Sequence, residues 1–167
     1  MPRVAEAPAG AQVRHLVVSV VTRDPVEFVD ITPALVRVVE GLGLRDGVLT
    51  VYTRHTTTGL LINEHEPLLL SDLQAMFERL VPEDGPFAHD DFERRTVNLT
   101  PGERRNGWAH CRAALLRTSE SIPVADAQLS LGRWQRVLLV EFDGGQRREI
   151  AVTLQGVFRR APGIGPD

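Results

Sequence analysis

The chain has 167 residues, 43% hydrophobic and 25% charged, with a formal net charge of −3, the make-up of one soluble globular domain large enough to bury a core. The slight acidity and the lack of a basic tract exclude nonspecific nucleic-acid binding as the main task. A single cysteine, Cys111, excludes an internal disulfide and suits a reducing cytoplasm; no signal-peptide pattern opens the chain, and no apolar run is long enough to cross a bilayer.

Residues 1–11, rich in Ala, Pro and Gly, read as a flexible leader and 161–167 as a flexible tail, which leaves 12–160 as a single domain. Val13 to Thr22 reads as a strand, with Leu16, Val18 and Val20 alternating onto one face and His15 on the other. Phe28 to Ile31 is a short second strand. Thr32-Pro33 starts a helix, Thr as N-cap and Pro at the first helical position. Leu35, Val38, Val39 and Leu42 are its buried stripe, and Gly41 or Gly43 ends it. Arg45-Asp46-Gly47 reads as a turn into the strand Val48 to Tyr52, and Leu60 to Ile62 is the next strand. Pro67 opens a second helix, whose Leu69, Leu70, Leu73, Met76, Phe77 and Leu80 recur at core spacing and which Pro82 stops.

Pro82 to Arg105 is long and polar, the kind of loop that in compact domains is functional or disordered. Asn106-Gly107 caps a third helix, Trp108 to Arg117, in which Cys111 reads as core filler. Ile122 to Val124 and Leu129 to Leu131 are brief extended pieces. Arg133 to Phe142 is a strong strand whose apolar run Val137 to Val140 predicts a central position. Asp143-Gly144-Gly145 signals a turn, and Ile150 to Val157 is the last strand. This order predicts an α+β fold with a mixed, mostly antiparallel sheet packed with helices.

Chemistry concentrates in Thr53-Arg54-His55-Thr56-Thr57-Thr58-Gly59, framed by apolar strands and followed by Asn63-Glu64. Threonines bonding local backbone in a hairpin would account for the hydroxyls and Gly59. They account less well for His55 and Asn63-Glu64 among apolar neighbours, so the stretch reads as a site. His89 lies in the long loop and His110 in the first turn of the third helix, where the helix dipole favours a neutral imidazole. Their spacing matches no local zinc signature, and from spacing alone three scattered histidines are more often unrelated than convergent.

His55-Thr56-Thr57 with Asn63-Glu64, Leu80-Val81-Pro82-Glu83 followed by His89, Ala109-His110, Pro123, Leu129 to Gln135, and Glu141-Phe142-Asp143 with Arg147-Arg148 occur in an order that resembles the YjbQ family of secondary thiamine-phosphate synthases. The resemblance covers nearly everything from Val13 to Val157. It implies a homotrimer and a pocket lined by His55, His89 and His110 at or near a subunit interface. It also implies a thiamine-phosphate synthase activity that joins a hydroxymethylpyrimidine pyrophosphate to a thiazole phosphate. The family usually has Gly where Arg117, Arg136 and Ala127 stand, which alters backbone freedom and charge near the expected site.

With that resemblance, His55, Glu64, His89 and His110 are the catalytic candidates. Thr56, Thr57, Asn63, Trp134, Gln135, Arg147 and Arg148 are expected to bind a phosphorylated substrate. His55, His89 and His110 suit zinc or another transition metal, with Glu64 as ligand or acceptor; magnesium prefers oxygen and fits with a pyrophosphate substrate. Two other functions compete: a metal-dependent hydrolase, and a trimeric anion- or metal-binding protein without turnover. Glu64 beside three histidines favours an enzyme.

Overall fold

The computed structural model describes residues 12–159; the expected flexible ends lie outside the described residues. The strands form two sheets, and every pair in them is antiparallel. Five strands run in the order β1 (Gln12–Val21), β8 (Arg147–Phe158), β3 (Leu44–Thr53), β5 (Ser119–Ala125), β6 (Gln128–Leu129). Three run in the order β2 (Glu27–Asp30), β7 (Arg136–Glu141), β4 (Thr58–Asn63). The single sheet expected from the sequence is thus divided in two, and none of its pairs is parallel.

The division explains the apolar run of β7. Val137 and Leu139 face a core shared with Leu49, Val51, Ile122, Ile150, Val152 and Leu154 of the larger sheet and with Leu35 and Val39 of α1 (Thr32–Leu42). Val140 and Phe142 face the other way, onto Phe77 of α2 (Pro67–Leu80) and Trp108, Ala109 and Ala113 of α3 (Gly107–Ala113). With both faces covered, β7 has no need of a polar side. Phe77 and Phe142 meet edge to face with ring centroids 5.0 Å apart, a favoured aromatic arrangement.

Local chemistry departs from the sequence reading at five points. Thr32 is the first residue of α1 and does not cap it; its Oγ1 accepts the Val137 N–H at 2.8 Å, while its own N–H donates to Asp30 Oδ1 at 2.9 Å. Arg45-Asp46-Gly47 is an irregularity inside β3, not a turn, because the backbones of Gly47 and Gly156 cross so closely that a Cβ on Gly47 would lie 2.1 Å from Gln155 O. Glu66 caps α2, accepting from the Leu68 and Leu69 N–H groups. Of the α2 stripe, Phe77 alone is buried; Leu73 and Met76 are half-buried and Leu80 is exposed.

The fifth departure is the length of α3. It ends at Ala113, not Arg117, because the next backbone groups belong to strands: Leu60 N–H donates to Arg117 O at 2.7 Å and Thr53 N–H to Thr118 O at 2.9 Å. That capture ties the end of α3 to the start of β4. The outer face of the five-stranded sheet keeps Val13, Val17, Val21, Val48 and Tyr52 exposed. Among the described residues no helix is long and apolar enough to cross a membrane.

Candidate functional site

The turn between β3 and β4 is built by its threonines. Thr53 and Thr58, both buried, share a hydroxyl–hydroxyl hydrogen bond, and Thr58 Oγ1 also donates to His55 O at 3.3 Å. Gly59 is required because a Cβ there would lie 2.5 Å from Leu116 Cβ, behind α3. His55 Nε2 accepts the backbone N–H of Glu149 at 2.8 Å. Burial first, and then the charge of Arg148, hold the His55 imidazole below its ordinary pKa.

Beneath this turn lies a buried ion pair across β7 and β8. Arg148 Nε reaches Glu141 Oε2 at 2.5 Å and its Nη2 reaches Oε1 at 2.6 Å, with side chains 5% and 0% exposed. Thr22 Oγ1 and the Phe142 and Asp143 N–H groups also donate to Glu141, and Arg148 Nη2 donates to Thr57 Oγ1 at 3.1 Å. A buried pair is tolerable only when its remaining lone pairs and protons are met, and here they are. Arg148, expected to bind a phosphate, has its fork engaged by Glu141.

The long loop delivers the second half of the site. Asp90, at the end of the 3-10 turn Ala88–Asp90, accepts from the Asn106 and Gly107 N–H groups at 3.0 and 2.9 Å. That bond locks the loop onto the start of α3 and sets His89 against His110, ring centroids 4.6 Å apart. The helix has seven residues, so its dipole contributes little; burial, and after it the neighbouring His89, keep the His110 pKa low, against an opposing pull from Asp143. His89 Nε2 is 3.9 Å from Glu103 Oε1, beyond hydrogen-bond range. Among the described residues, His89 Nε2 and Asn106 Oδ1 are the buried side-chain polar atoms with no hydrogen-bond partner. Glu103 is paired with Arg95, which bonds the Asn98 carbonyl at 2.6 Å and so shapes the loop.

Asp143 joins the halves. Its carboxylate accepts from Asn106 Nδ2 at 2.9 Å and forms an ion pair with Arg104, 3.0 Å away, while its carbonyl accepts from Arg104 Nη2 at 3.0 Å and from Arg148 Nη2 at 3.4 Å.

The family model described as "UPF0047 protein YjbQ-like" matches residues 17–157. The chain belongs to the YjbQ/UPF0047 family. A UPF0047 protein of Archaeoglobus fulgidus is 42% identical over 131 residues, 78% of this chain and 93% of the relative. One from Methanothermobacter thermautotrophicus is 37% identical over 131 residues, 78% and 84% of the two chains. A YbjQ-like protein of unknown function from Sulfolobus solfataricus P2 superimposes with a TM-score of 0.78 at 28% identity, covering 89% of this chain and all of the other. An uncharacterised YjbQ/UPF0047 protein of Clostridium acetobutylicum gives 0.72 at 29% identity, covering 83% and 98%. The YjbQ/UPF0047 family is one of uncharacterised function.

Within this YjbQ-like fold, four expected site residues lie elsewhere. Thr58 pairs with Glu141 and Asn63 with Arg136, at opposite ends of β4; at about 3.4 Å per residue those ends are roughly 17 Å apart. Glu64, half-buried beside Asn63, is thus remote from His55. Trp134, 61% exposed, and Gln135, whose Oε1 accepts from Gly132 N–H at 2.8 Å, precede β7 at that same far end. Arg147 is exposed and reaches Ser19 Oγ at 3.0 Å, and Thr56 is exposed at the His55 turn. Cys111, expected in the core, is exposed.

The sequence reading passed over Asp90, Arg95, Glu103, Arg104 and Asn106 as site-builders. Asp143 and Glu141 carried a signal, but the first reads equally well as a turn residue and the second as the end of a strand. The donor set does not fit a three-histidine metal centre within one chain. Among the described residues no three His, Cys, Asp or Glu side chains are grouped to hold an ion, and the Nε2 of His55 is already engaged by Glu149.

Proposed function

We propose that the YjbQ-like site binds the phosphate end of a small phosphorylated molecule and acts as a transferase of the thiamine-phosphate synthase kind. The observation that carries this reading is the His89–His110 pair: imidazoles in contact at a tilt, the His110 pKa lowered by burial and by His89, and a buried His89 nitrogen with no partner among the described residues. A neutral imidazole can donate a hydrogen bond to a phosphate oxygen or take a proton at neutral pH. Arg95 and Arg104 lie nearby, each paired with a carboxylate, Glu103 and Asp143, that a bound phosphate would compete with.

In the reaction, the bond between the pyrimidine's methylene carbon and the pyrophosphate oxygen breaks, and the thiazole nitrogen supplies the electron pair of the new carbon–nitrogen bond. Negative charge grows on the departing pyrophosphate. The residues' task is to hold that leaving group and shield it from water. Any magnesium would enter bound to the pyrophosphate itself, since no group of three His, Cys, Asp or Glu side chains among the described residues is placed to hold it, and no step is assigned to it. The test is to incubate the purified protein with both substrates and measure pyrophosphate and thiamine phosphate. His110→Ala should lower the rate by about a hundredfold or more; wild type that forms no product overturns the reading.

We also propose that the chain works as a cytoplasmic homotrimer. The exposed Val13, Val17, Val21, Val48 and Tyr52 on one sheet face support assembly, and the single cysteine supports the compartment. Light scattering at micromolar concentration should give three times the 18.5 kDa chain mass; a monomer mass would refute assembly.

A further inference from the structure

We propose that His55 serves the phosphorylated ligand as a neutral hydrogen-bond donor through Nδ1–H, its ring held in that tautomer by the backbone N–H of Glu149. This deepens the phosphate-binding reading and rests on it. A backbone N–H can only donate, so the nitrogen that meets it at 2.8 Å must carry the lone pair. A neutral imidazole then has its single proton on Nδ1. Charging the ring would set one N–H against another and leave the Glu149 amide without its acceptor. The hydrogen bond therefore opposes protonation, in the same direction as burial and the Arg148 charge.

The geometry also removes the two usual roles of such a residue. With Nε2 occupied by a donor and Nδ1 carrying the proton, His55 has no free lone pair to act as a base or to ligate a metal. The residue is pinned besides: its own N–H donates to Thr53 Oγ1 at 3.4 Å and its carbonyl accepts from Thr58 Oγ1 at 3.3 Å. Among the described residues nothing accepts from Nδ1–H, and the backbone amides of Thr56 and Thr57 have no acceptor either. The turn thus offers an imidazole N–H, two amide N–H groups and the Thr56 hydroxyl, and what this set lacks is an anionic oxygen. The carboxylate of Glu149 is turned to Arg54, 3.5 Å away, so it is the backbone of Glu149 that addresses the imidazole.

Asparagine and glutamine separate the two ring nitrogens. Asn places an amide N–H where Nδ1–H sits and has nothing at Nε2; Gln reaches the Nε2 position and loses the Nδ1 donor. With histidine-labelled full-length protein, nitrogen NMR should show Nδ1 protonated and Nε2 bare at neutral pH. In titrations with inorganic pyrophosphate, His55→Asn should bind within a few-fold of wild type. His55→Gln and His55→Ala should each bind about tenfold or more weakly, the worth of one hydrogen bond to a charged group. An Nε2-protonated tautomer overturns the proposal, as does a His55→Asn protein no better than His55→Gln when wild type binds. If wild type does not bind pyrophosphate at all, the phosphate-binding reading falls, and this one with it.

Discussion

Strands β4 and β7 run side by side, and each end of the pair carries an arginine–carboxylate bridge, yet the two bridges sit in different surroundings. At one end Glu141 and Arg148 are 0% and 5% exposed and every oxygen of the carboxylate is engaged. At the other end Arg136 meets Asp30 at 2.7 Å with side chains 40% and 18% exposed. The attraction is similar in kind; the solvent is not. Water screens the Arg136 bridge and would rescue either partner left alone, whereas a lone charge at the Glu141 end has nowhere to go. Histidines gather at the buried end, where their charge states can be set by surroundings.

The contrast is sharpest under mutation. Arg148→Met leaves Glu141 buried without its counter-charge and should cost about 3–5 kcal/mol in denaturant unfolding; a loss below about 1 kcal/mol would show that water reaches the pair. Arg136→Met should cost about 1 kcal/mol or less, and a loss as large as that of Arg148→Met would erase the distinction between the ends. The smallest effect is expected from pH, because the rings concerned are only partly buried. Folding lowers the pKa of His55 and His110 below the ordinary value of about 6.5. As pH falls through 6.5 the unfolded chain takes up protons that the folded chain does not, so stability declines below that point and is level above it. A His55→Gln, His110→Gln double variant should flatten that slope; an unchanged slope would place its origin elsewhere.

Much of this was legible in the sequence. Val137 to Val140 announces a strand covered on both faces, and β7 is that strand. Thr53 to Gly59 stands out as a polar turn between apolar strands, and the turn is where His55 is held. The pattern failed where distant backbone decides the outcome. Nothing in Leu115-Leu116-Arg117 shows that β4 will capture Arg117 and end α3 early. Asn63 and Glu64 follow His55 closely in sequence, but the strand between them carries them to the opposite end. His89 and His110 are far apart in the chain and meet because Asp90 caps α3, a bond that no local spacing reveals. The α2 stripe has core periodicity yet little core, since periodicity gives the direction of a face and not what covers it.

Cys111 sits on the surface of α3, next in the chain to His110, and it is the sole thiol in the protein. A dye attached there by maleimide chemistry would therefore label one position without first engineering any other. It would stand beside the histidine pair while occupying neither ring. Its emission would give an optical readout of whatever enters the site, so small-molecule libraries could be screened by fluorescence before any reaction has been assayed.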